Sequence, residues 1–310
     1  MRVLSDDDYG LFEYLVSLDQ NLLQKILIKF LRSKYSNVIV KNEYVIAIGD
    51  IPIALVAHMD TVFKRPVENL YYDREKGILW SPEGLGADDR AGIFAIIKII
   101  QRGFRPSIIF TTDEEKGGLG ALALAMEKCP ISDLKYMIEL DRRGENDCVF
   151  YNCYCPEFVT YVENFGFKER WGSFSDISFL MPEWKICGVN LSIGYENEHS
   201  YVETLNVDFL FKTIYKVQKM LKSENIPFFI YKERSSKQDN IIFGQHCSKC
   251  KKLFSEYELI PVKNKDDKIK YYCAECIANG VRWCDICGEA FEVEEASQEN
   301  ICKGCAEKNV

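Results

Sequence analysis

Histidine is scarce in this sequence: three residues in 310, at positions 58, 199 and 246. With so few, the placement of each is informative. Positive charge is also short, with 39 Lys and Arg against 47 Asp and Glu and a net charge of −8. That balance argues against a general binder of nucleic acid or of anionic membrane. No apolar run approaches the ~18–20 residues needed to span a bilayer. The N-terminus is acidic (Asp6, Asp7, Asp8) and lacks the basic-then-apolar start of a secretory signal. The expectation is a cytoplasmic protein that uses neither nucleic acid nor membrane. What is present is the composition of a folded soluble chain, 47% hydrophobic and 13% aromatic. The length suits one substantial domain and an appendage.

Cysteine is unevenly spread. Of 13, eight form four CxxC pairs beyond residue 246, and the other five stand at 129, 148, 153, 155 and 187. Clustered CxxC pairs in a chain without an export signal indicate metal binding rather than disulfides. The scattered five are read as buried or reduced thiols, with Cys153 and Cys155 alternating along a strand.

Taken in order, residues 6–34 carry apolar positions at helical spacing, and two helices are expected, the second starting at Asp19 as N-cap. Val38–Val40 and Tyr44–Ile48 alternate around Lys41-Asn42-Glu43 and predict a hairpin. Ile53–Ala57 is an apolar run that predicts a buried strand, and it ends at His58 with Asp60 two residues on. Neither side chain is stable inside a core unless partnered. A period-2 strand end puts both on one side, so that one can bind a metal while the other holds a neighbour in place. Phe63–Trp80 is expected to be loop with a short strand at Ile78–Trp80. Gly84-Leu85-Gly86-Ala87-Asp88-Asp89-Arg90-Ala91-Gly92 then opens an apolar helix to Ile100. Ser107–Thr112 predicts a strand ending at Asp113-Glu114-Glu115, followed by a helix to Glu127. Tyr136–Leu140 predicts one ending at Asp141. Strands over 148–155 and 186–193, a helix over 156–165, His199, and a helix over 208–222 complete the domain. The repeated pattern is an apolar strand, an acidic or histidine residue at its C-terminal end, then a loop and helix. It predicts a three-layer αβα sandwich with a largely parallel mixed central sheet, in which ligands bind beyond the carboxyl ends of the strands.

The strand-end residues collect into one set: His58, Asp60, Asp88, Glu114, Glu115, Asp141 and His199. Two neutral imidazoles and three carboxylates can ligate two zinc-like ions if one carboxylate bridges. A water shared by two ions is acidic enough to act as a nucleophile near neutral pH. One unligated carboxylate can take its proton and deliver it to a leaving amine. The adjacent Glu114 and Glu115 supply one of each. Singly, a His or Asp at a strand end is more often a cap or surface residue, and a Glu-Glu pair a solvated turn.

HMDT, GADDRAG, DEE, ELD and the late His of NEHSYVE resemble the co-catalytic zinc exopeptidase superfamily, which holds tripeptidase-like, leucyl-aminopeptidase-like and glutamate-carboxypeptidase-like enzymes. The resemblance covers roughly residues 1–225, with all five motifs in the family's order. It implies that Asp88 bridges, that His58 and Asp141 complete one metal site, and that Glu115 and His199 complete the other. It implies further that Glu114 is the general acid/base and that Asp60 orients His58. Asp88-Asp89 is often joined by a cis peptide in such enzymes. Asp176, Arg142 and Arg143 are candidates for substrate contact and equally for surface or salt-bridge roles. Glu203 fits a support to the site or a helix approach. Only 58 positions separate Asp141 from His199, too few for the inserted lid of tripeptidase-like members, so a lidless architecture is expected. The lid histidine that helps stabilise the oxyanion then needs a substitute. Tyr195 is the first choice, ahead of Tyr151 and Tyr154.

The chain is therefore expected to divide into a catalytic domain over 1–230, a polar linker over 231–245, and a tandem zinc-binding module over 246–310. CSKCKKLF…YYCAECI and CDICGEAF…NICKGCA form an internal repeat. Cys247, Cys250, Cys273 and Cys276 supply one closed tetrahedral zinc site, and Cys284, Cys287, Cys302 and Cys305 a second, paired sequentially rather than cross-braced. Ten Lys and Arg against twelve Asp and Glu leave the module no basic surface. A docking role towards a protein partner and plain stabilisation of the C-terminus both fit it. The functional expectation is a metal-dependent exopeptidase, first an aminopeptidase acting on short peptides, with two co-catalytic divalent metals (zinc, or else manganese or cobalt) and two structural zinc ions. The alternatives are an amidohydrolase of N-acyl amino acids or other small amides, and a non-enzymatic zinc-dependent adaptor that binds peptides or proteins.

Overall fold

A computed structural model of the chain describes residues 4–234 and, beyond them, 245–254, 259–263, 269–273, 276–277, 281–284, 286, 290–292, 296–298 and 301–306. The chain divides into two compact units, Met1–Ser236 and Lys237–Val310.

In the first unit, α1 (Asp6–Val16) and α2 (Gln20–Arg32) are capped by Ser5 and Asp19, whose side chains accept from the N–H groups of Asp8 and Leu22. A cap of this kind contributes about 1 kcal/mol. Leu23, Leu27 and Leu31 recur every fourth residue on α2 and are all fully buried, each worth about 1.5–3 kcal/mol of apolar burial. The hairpin β1 (Asn37–Val40) and β2 (Tyr44–Ile48) leads into β3 (Ile51–His58), then β4 (Tyr71–Asp73) and β5 (Ile78–Trp80). Next come α3 (Ala87–Gln101), β6 (Pro106–Thr111), a 3₁₀ turn over Glu114–Lys116, α4 (Leu119–Ala125) and β7 (Tyr136–Arg142). The remainder is β8 (Asp147–Val149), α5 (Pro156–Glu163), β9 (Lys168–Glu169), α6 (Asp176–Trp184), β10 (Cys187–Ser192), β11 (Tyr195–Glu196), β12 (Thr204–Asn206) and α7 (Val207–Leu221).

Eight strands form one sheet in the order β1-β2-β6-β3-β7-β10-β8-β9. Its centre, β6-β3-β7-β10, is parallel throughout, and β2 and β8 join it antiparallel. β6 and β10 are buried along their whole length, as are Ile53–His58 of β3 and Tyr136–Leu140 of β7, which requires both faces of the sheet to be covered. α3, flanked by α1 and α7, packs on β3 and β7, and so does α6, flanked by α4. The three-layer αβα sandwich expected from the sequence is therefore the observed fold. Gly92 allows α3 to lie close to β7: a Cβ there would stand 2.4 Å from the Leu140 carbonyl oxygen. A second antiparallel sheet, β11-β12-β5-β4, lies beyond the strand ends.

Several local expectations are corrected. The strand expected over 148–155 stops at Val149, because Tyr151 takes a positive φ of 49° and Pro156 begins α5. Cys153 and Cys155 therefore do not alternate along a strand: Cys153 makes an isolated bridge to Glu233, and Cys155 is the N-cap of α5. The sequence pattern gives no expectation of α6, β4, β9, β11 or β12. The polar stretch from 231 does not start as a free linker. Ile230 and Glu233 bridge to Ile186 and Cys153, Tyr154 N–H donates to the Lys232 carbonyl, and Arg234 N–H donates to Asn152. The rest of the expected linker, 235–244, lies outside the described residues. Between Asp141 and His199 every residue is described and belongs to the sandwich and its connections, so no lid domain is inserted there. Among the described residues no helix is long and apolar enough to cross a membrane.

The second unit is built of two-stranded pieces, Gln245–His246 with Leu253–Phe254, Leu259–Lys263 with Ile269–Cys273, Val281–Trp283 with Ala290–Glu292, and Ala296–Gln298 with Ile301–Cys302.

Candidate metal centre and active site

The site grows from the carboxyl ends of the parallel strands. β3 ends at His58, whose ring is 1% exposed. Its Nδ1 lies 3.2 Å from Asp60 Oδ1, and its Nε2 lies 2.9 Å from Asp88 Oδ1 and 3.6 Å from Asp141 Oδ1. Asp88 opens α3, joined to Asp89 by a cis peptide bond. Asp141 comes from the end of β7. On the other side of Asp88, its Oδ2 lies 3.2 Å from His199 Nε2, which is also 3.0 Å from Glu115 Oε2. Two groups result, His58–Asp88–Asp141 and Asp88–Glu115–His199, each with ligand atoms within 4.8 Å of one another, and Asp88 belongs to both. Asp88 thus lies between two groups of potential metal ligands, and Asp60 contacts the His58 ring and the backbone of Glu114 and Glu115.

Neighbours hold this set in shape. One Asp60 carboxylate faces the His58 ring and accepts the backbone N–H groups of Glu114 and Glu115, each at 3.0 Å. Asp89 accepts from His58 N–H at 3.3 Å and Gly92 N–H at 3.0 Å. Buried Glu203 accepts from Gly86 N–H at 2.7 Å and Asp88 N–H at 3.0 Å, tying β12 to the start of α3. The Arg90 guanidinium, 2% exposed, donates to the carbonyls of Met59 and Leu18.

The electrostatics are those of a site with excess negative charge. Burial alone would lower the His58 pKa, but Asp141, Asp60 and Asp88 outweigh it and hold it well above the ordinary value. Hydrogen bonds to Asp88 and Glu115 push His199 up to about 11. Asp141 is raised to about 7 by burial and by Asp88. Burial also pushes Asp88 up, but its bonds to His199 and His58 win and hold it below the carboxylate range. Glu114 is raised to about 9, first by burial and then by Asp141, Asp176 and Asp88, against His58. Glu115 Oε1 is buried with no hydrogen-bond partner. Buried carboxylates at this density need compensating cations. The donors of the two groups, imidazole nitrogens and carboxylate oxygens with three protein ligands per position, suit zinc-like ions with open coordination sites.

The softer candidates fall elsewhere. Asp176 is fully buried at the start of α6 and accepts from the Thr111 hydroxyl, so it stands behind the site and not at a substrate surface. Arg142, 8% exposed, is likewise buried at the end of β7, and Arg143 pairs with Glu198 at 2.8 Å. Tyr195 is 3% exposed and donates its hydroxyl to Asp141 Oδ1 at 3.1 Å. It positions a carboxylate and does not face open space as an oxyanion donor. Tyr151 is occupied similarly, accepting from Asn190 Nδ2 at 3.0 Å. Sequence reasoning missed Asn190 and Ser175, which hold Asp141 through its backbone and Oδ2. Asn190 stands out as a lone amide in the apolar run of β10, a signal that was available.

In the second unit Cys247, Cys250, Cys273 and Cys276 bring their sulphurs within 4.8 Å of one another. This is the expected first quartet, paired sequentially. Of the second, Cys284 is buried and Cys305 half-buried. Cys287 and the Cys302 side chain lie outside the described residues.

Residues 37–164 match the model of peptidase family M28. Comparison of the sequence with curated proteins finds no significant match. Among solved structures, the chain is similar to an aminopeptidase PepT from Bacillus cereus, with 17% identity over 68% of this chain and 96% of that one and a TM-score of 0.56. A tripeptidase from Staphylococcus aureus aligns at 16% identity over 71% and 99% of the two chains, with a TM-score of 0.58. An aminopeptidase from the archaeon Desulfurococcus kamchatkensis aligns at 13% over 71% and 96%, with a TM-score of 0.53.

Proposed function

Starting from a first unit that is a metallopeptidase domain of the co-catalytic zinc exopeptidase superfamily, we propose that the protein removes N-terminal residues from short peptides. The observation that carries this reading is the pair of ligand groups sharing Asp88, with buried Glu114 beside them and outside both. His58 and Asp141 would hold one ion and Glu115 and His199 the other, with Asp88 available to both. Two divalent ions bound there supply carbonyl polarisation and an acidified shared water.

The chain's own residues do the rest. Glu114 takes the proton from the attacking water and returns it to the departing amine. Its raised affinity for protons suits the second half of that task, and cations at the ligand groups would draw its pKa back towards neutrality for the first. Asp60 fixes the two ends of the machinery together, aiming His58 through the ring and Glu114 through the backbone. The finer metal count follows the same reading: two co-catalytic ions, most simply zinc, and two structural zinc ions in the cysteine unit.

Replacing Glu114 by Ala tests the mechanism. Hydrolysis of free-amine di- and tripeptides should fall by at least about 10²–10⁴-fold, while metal analysis still finds both co-catalytic ions. Activity surviving the substitution would sink the assignment of Glu114. N-blocked peptides should be poor substrates; if they are preferred, the reading shifts to an amidohydrolase.

A further inference from the structure

A cleft of about 500 Å³ adjoins the ligand groups, with Asp60 and Glu115 among its lining residues. One wall is the chain that leaves β3, and this wall is seated. The Phe63 ring lies over Gly84, where φ is +89° and a Cβ would stand 2.1 Å from the ring. On its other side Phe63 meets the Tyr201 ring at 5.7 Å. The charges lining the cleft can be followed one at a time. Asp60 is taken up by His58 and two backbone N–H groups, and Glu115 by His199. Asp113 pairs with Lys116 at 2.6 Å, and Asp19 caps α2. Arg90 is spent on two carbonyls. Lys64 and Arg65 remain, both exposed, with no ion-pair partner among the described residues.

We propose that Lys64 and Arg65 make this cleft a carboxylate-recognising subsite, so that the protein selects short peptides carrying a free carboxylate away from the bond to be cut. The inference rests on the exopeptidase reading and narrows its substrate class. Two cations without ion pairs on a concave wall place local positive charge at that wall, within a lining that otherwise carries four carboxylates. The Arg guanidinium offers a planar fork that fits a carboxylate through two parallel bonds. The volume lies within the range of small-ligand sites and matches a few residues better than a long chain. Val16, Leu18 and Leu85 line the same space and give the aliphatic part of such a peptide apolar surface to cover. The carboxylate can come from the peptide's own C-terminus or from an acidic side chain.

Binding is measured by calorimetry on the full-length Glu114→Ala chain loaded with Zn²⁺, so that turnover is not required. The probes are Ala-Ala-Ala, its C-terminal amide, and Ala-Glu-Ala amide. A carboxylate-bearing probe should bind at least about tenfold tighter than Ala-Ala-Ala amide, about 1.4 kcal/mol, and the ratio should shrink as salt is raised. Tight binding of Ala-Ala-Ala alone assigns the C-terminus, and tight binding of Ala-Glu-Ala amide assigns the side chain. In the Lys64→Ala/Arg65→Ala pair, checked for native circular dichroism, the ratio should fall below threefold. The Lys64→Gln/Arg65→Gln pair stands in if the first is misfolded. Equal binding of all three probes overturns the proposal, as does a preference that survives loss of both cations. Hydrolysis by the native chain without carboxylate preference overturns this inference and leaves the exopeptidase standing. Carboxylate-selective binding with no hydrolysis of any peptide does the reverse.

Discussion

At the scale of single residues, the site is held by carboxylates that bind backbone as well as ligands. Asp60 and Glu203 each accept two backbone N–H groups next to a ligand. Removing the Glu203 carboxylate strands two buried donors at the start of α3, each worth about 1–3 kcal/mol. Glu203→Ala is therefore expected to lower affinity for the co-catalytic metals by about 10–100-fold while leaving the far-ultraviolet circular dichroism native. Titration with a metal-sensitive dye checks it, and unchanged affinity would exclude a supporting role. This part of the site was only half legible. His58, Glu114, Glu115 and Asp141 show themselves because apolar strands end in charge, Asp88 because it opens a helix after a glycine-rich turn, and His199 because histidine is scarce. Ser175 does not, and Glu203 and Asn190 show themselves only as candidates without a partner, because what they bind is set by chain segments 15 to 117 positions away. The oxyanion role expected of Tyr195 rests on likeness to lidless relatives, and its partner Asp141 cannot be read from spacing.

At the scale of elements, regular amphipathic stretches were legible and irregular ones were not. α2 announces itself through Asp19 and leucines at every fourth position. α6 is hidden: its N-terminal turn is secured by the hydroxyls of Ser175 and Ser178, and Pro182 within it reads as a helix breaker. The single strand expected over 148–155 failed for the opposite reason, since its residues have strand-like composition but Tyr151 turns the chain. Where the pattern is strong, energetics follow. Leu27 is fully buried on α2, far from the ligand groups in sequence. Leu27→Ala should cost about 2–5 kcal/mol of stability, seen as a lowered thermal midpoint, with the affinity for the co-catalytic metals unchanged in the folded protein. A midpoint within a degree or two of native would show that α2 contributes little to the core.

At the scale of the whole chain, the two units use different chemistry to become rigid. The first has an extended apolar core, and the second has small clusters centred on Cys247, Tyr272 and Cys273 and on Cys284. Among the described residues these clusters are built around cysteine sulphurs, the groups that a zinc ion would hold. Burial would raise the Cys247 thiol, but N–H groups of Cys273, Cys250 and Lys249 aimed at its sulphur lower it to about 6. Its folded pKa lies below the ordinary thiol value, so the stability it contributes is present above that ordinary value and is lost as pH falls through about 6. Cys276 of the same quartet is pushed up to about 12 by burial and its neighbouring thiols, so a bound cation must hold the set as thiolates, and zinc release should follow acidification. A chromogenic chelator followed from pH 8 to pH 5 reads the release. Loss of this zinc at pH 7–8 would contradict the thiolate environment.

The sheet order β6-β3-β7-β10 has a last consequence, in time rather than in space. The ligands it gathers run from His58 to His199, and the residue that braces Asp88 is Glu203. A chain leaving the ribosome N-terminus first has made most of its central strands before it owns a complete ion-binding set. On the proposed ligand assignment, ion capture is a late step in synthesis, and until then the growing chain carries its cluster of carboxylates without balancing cations.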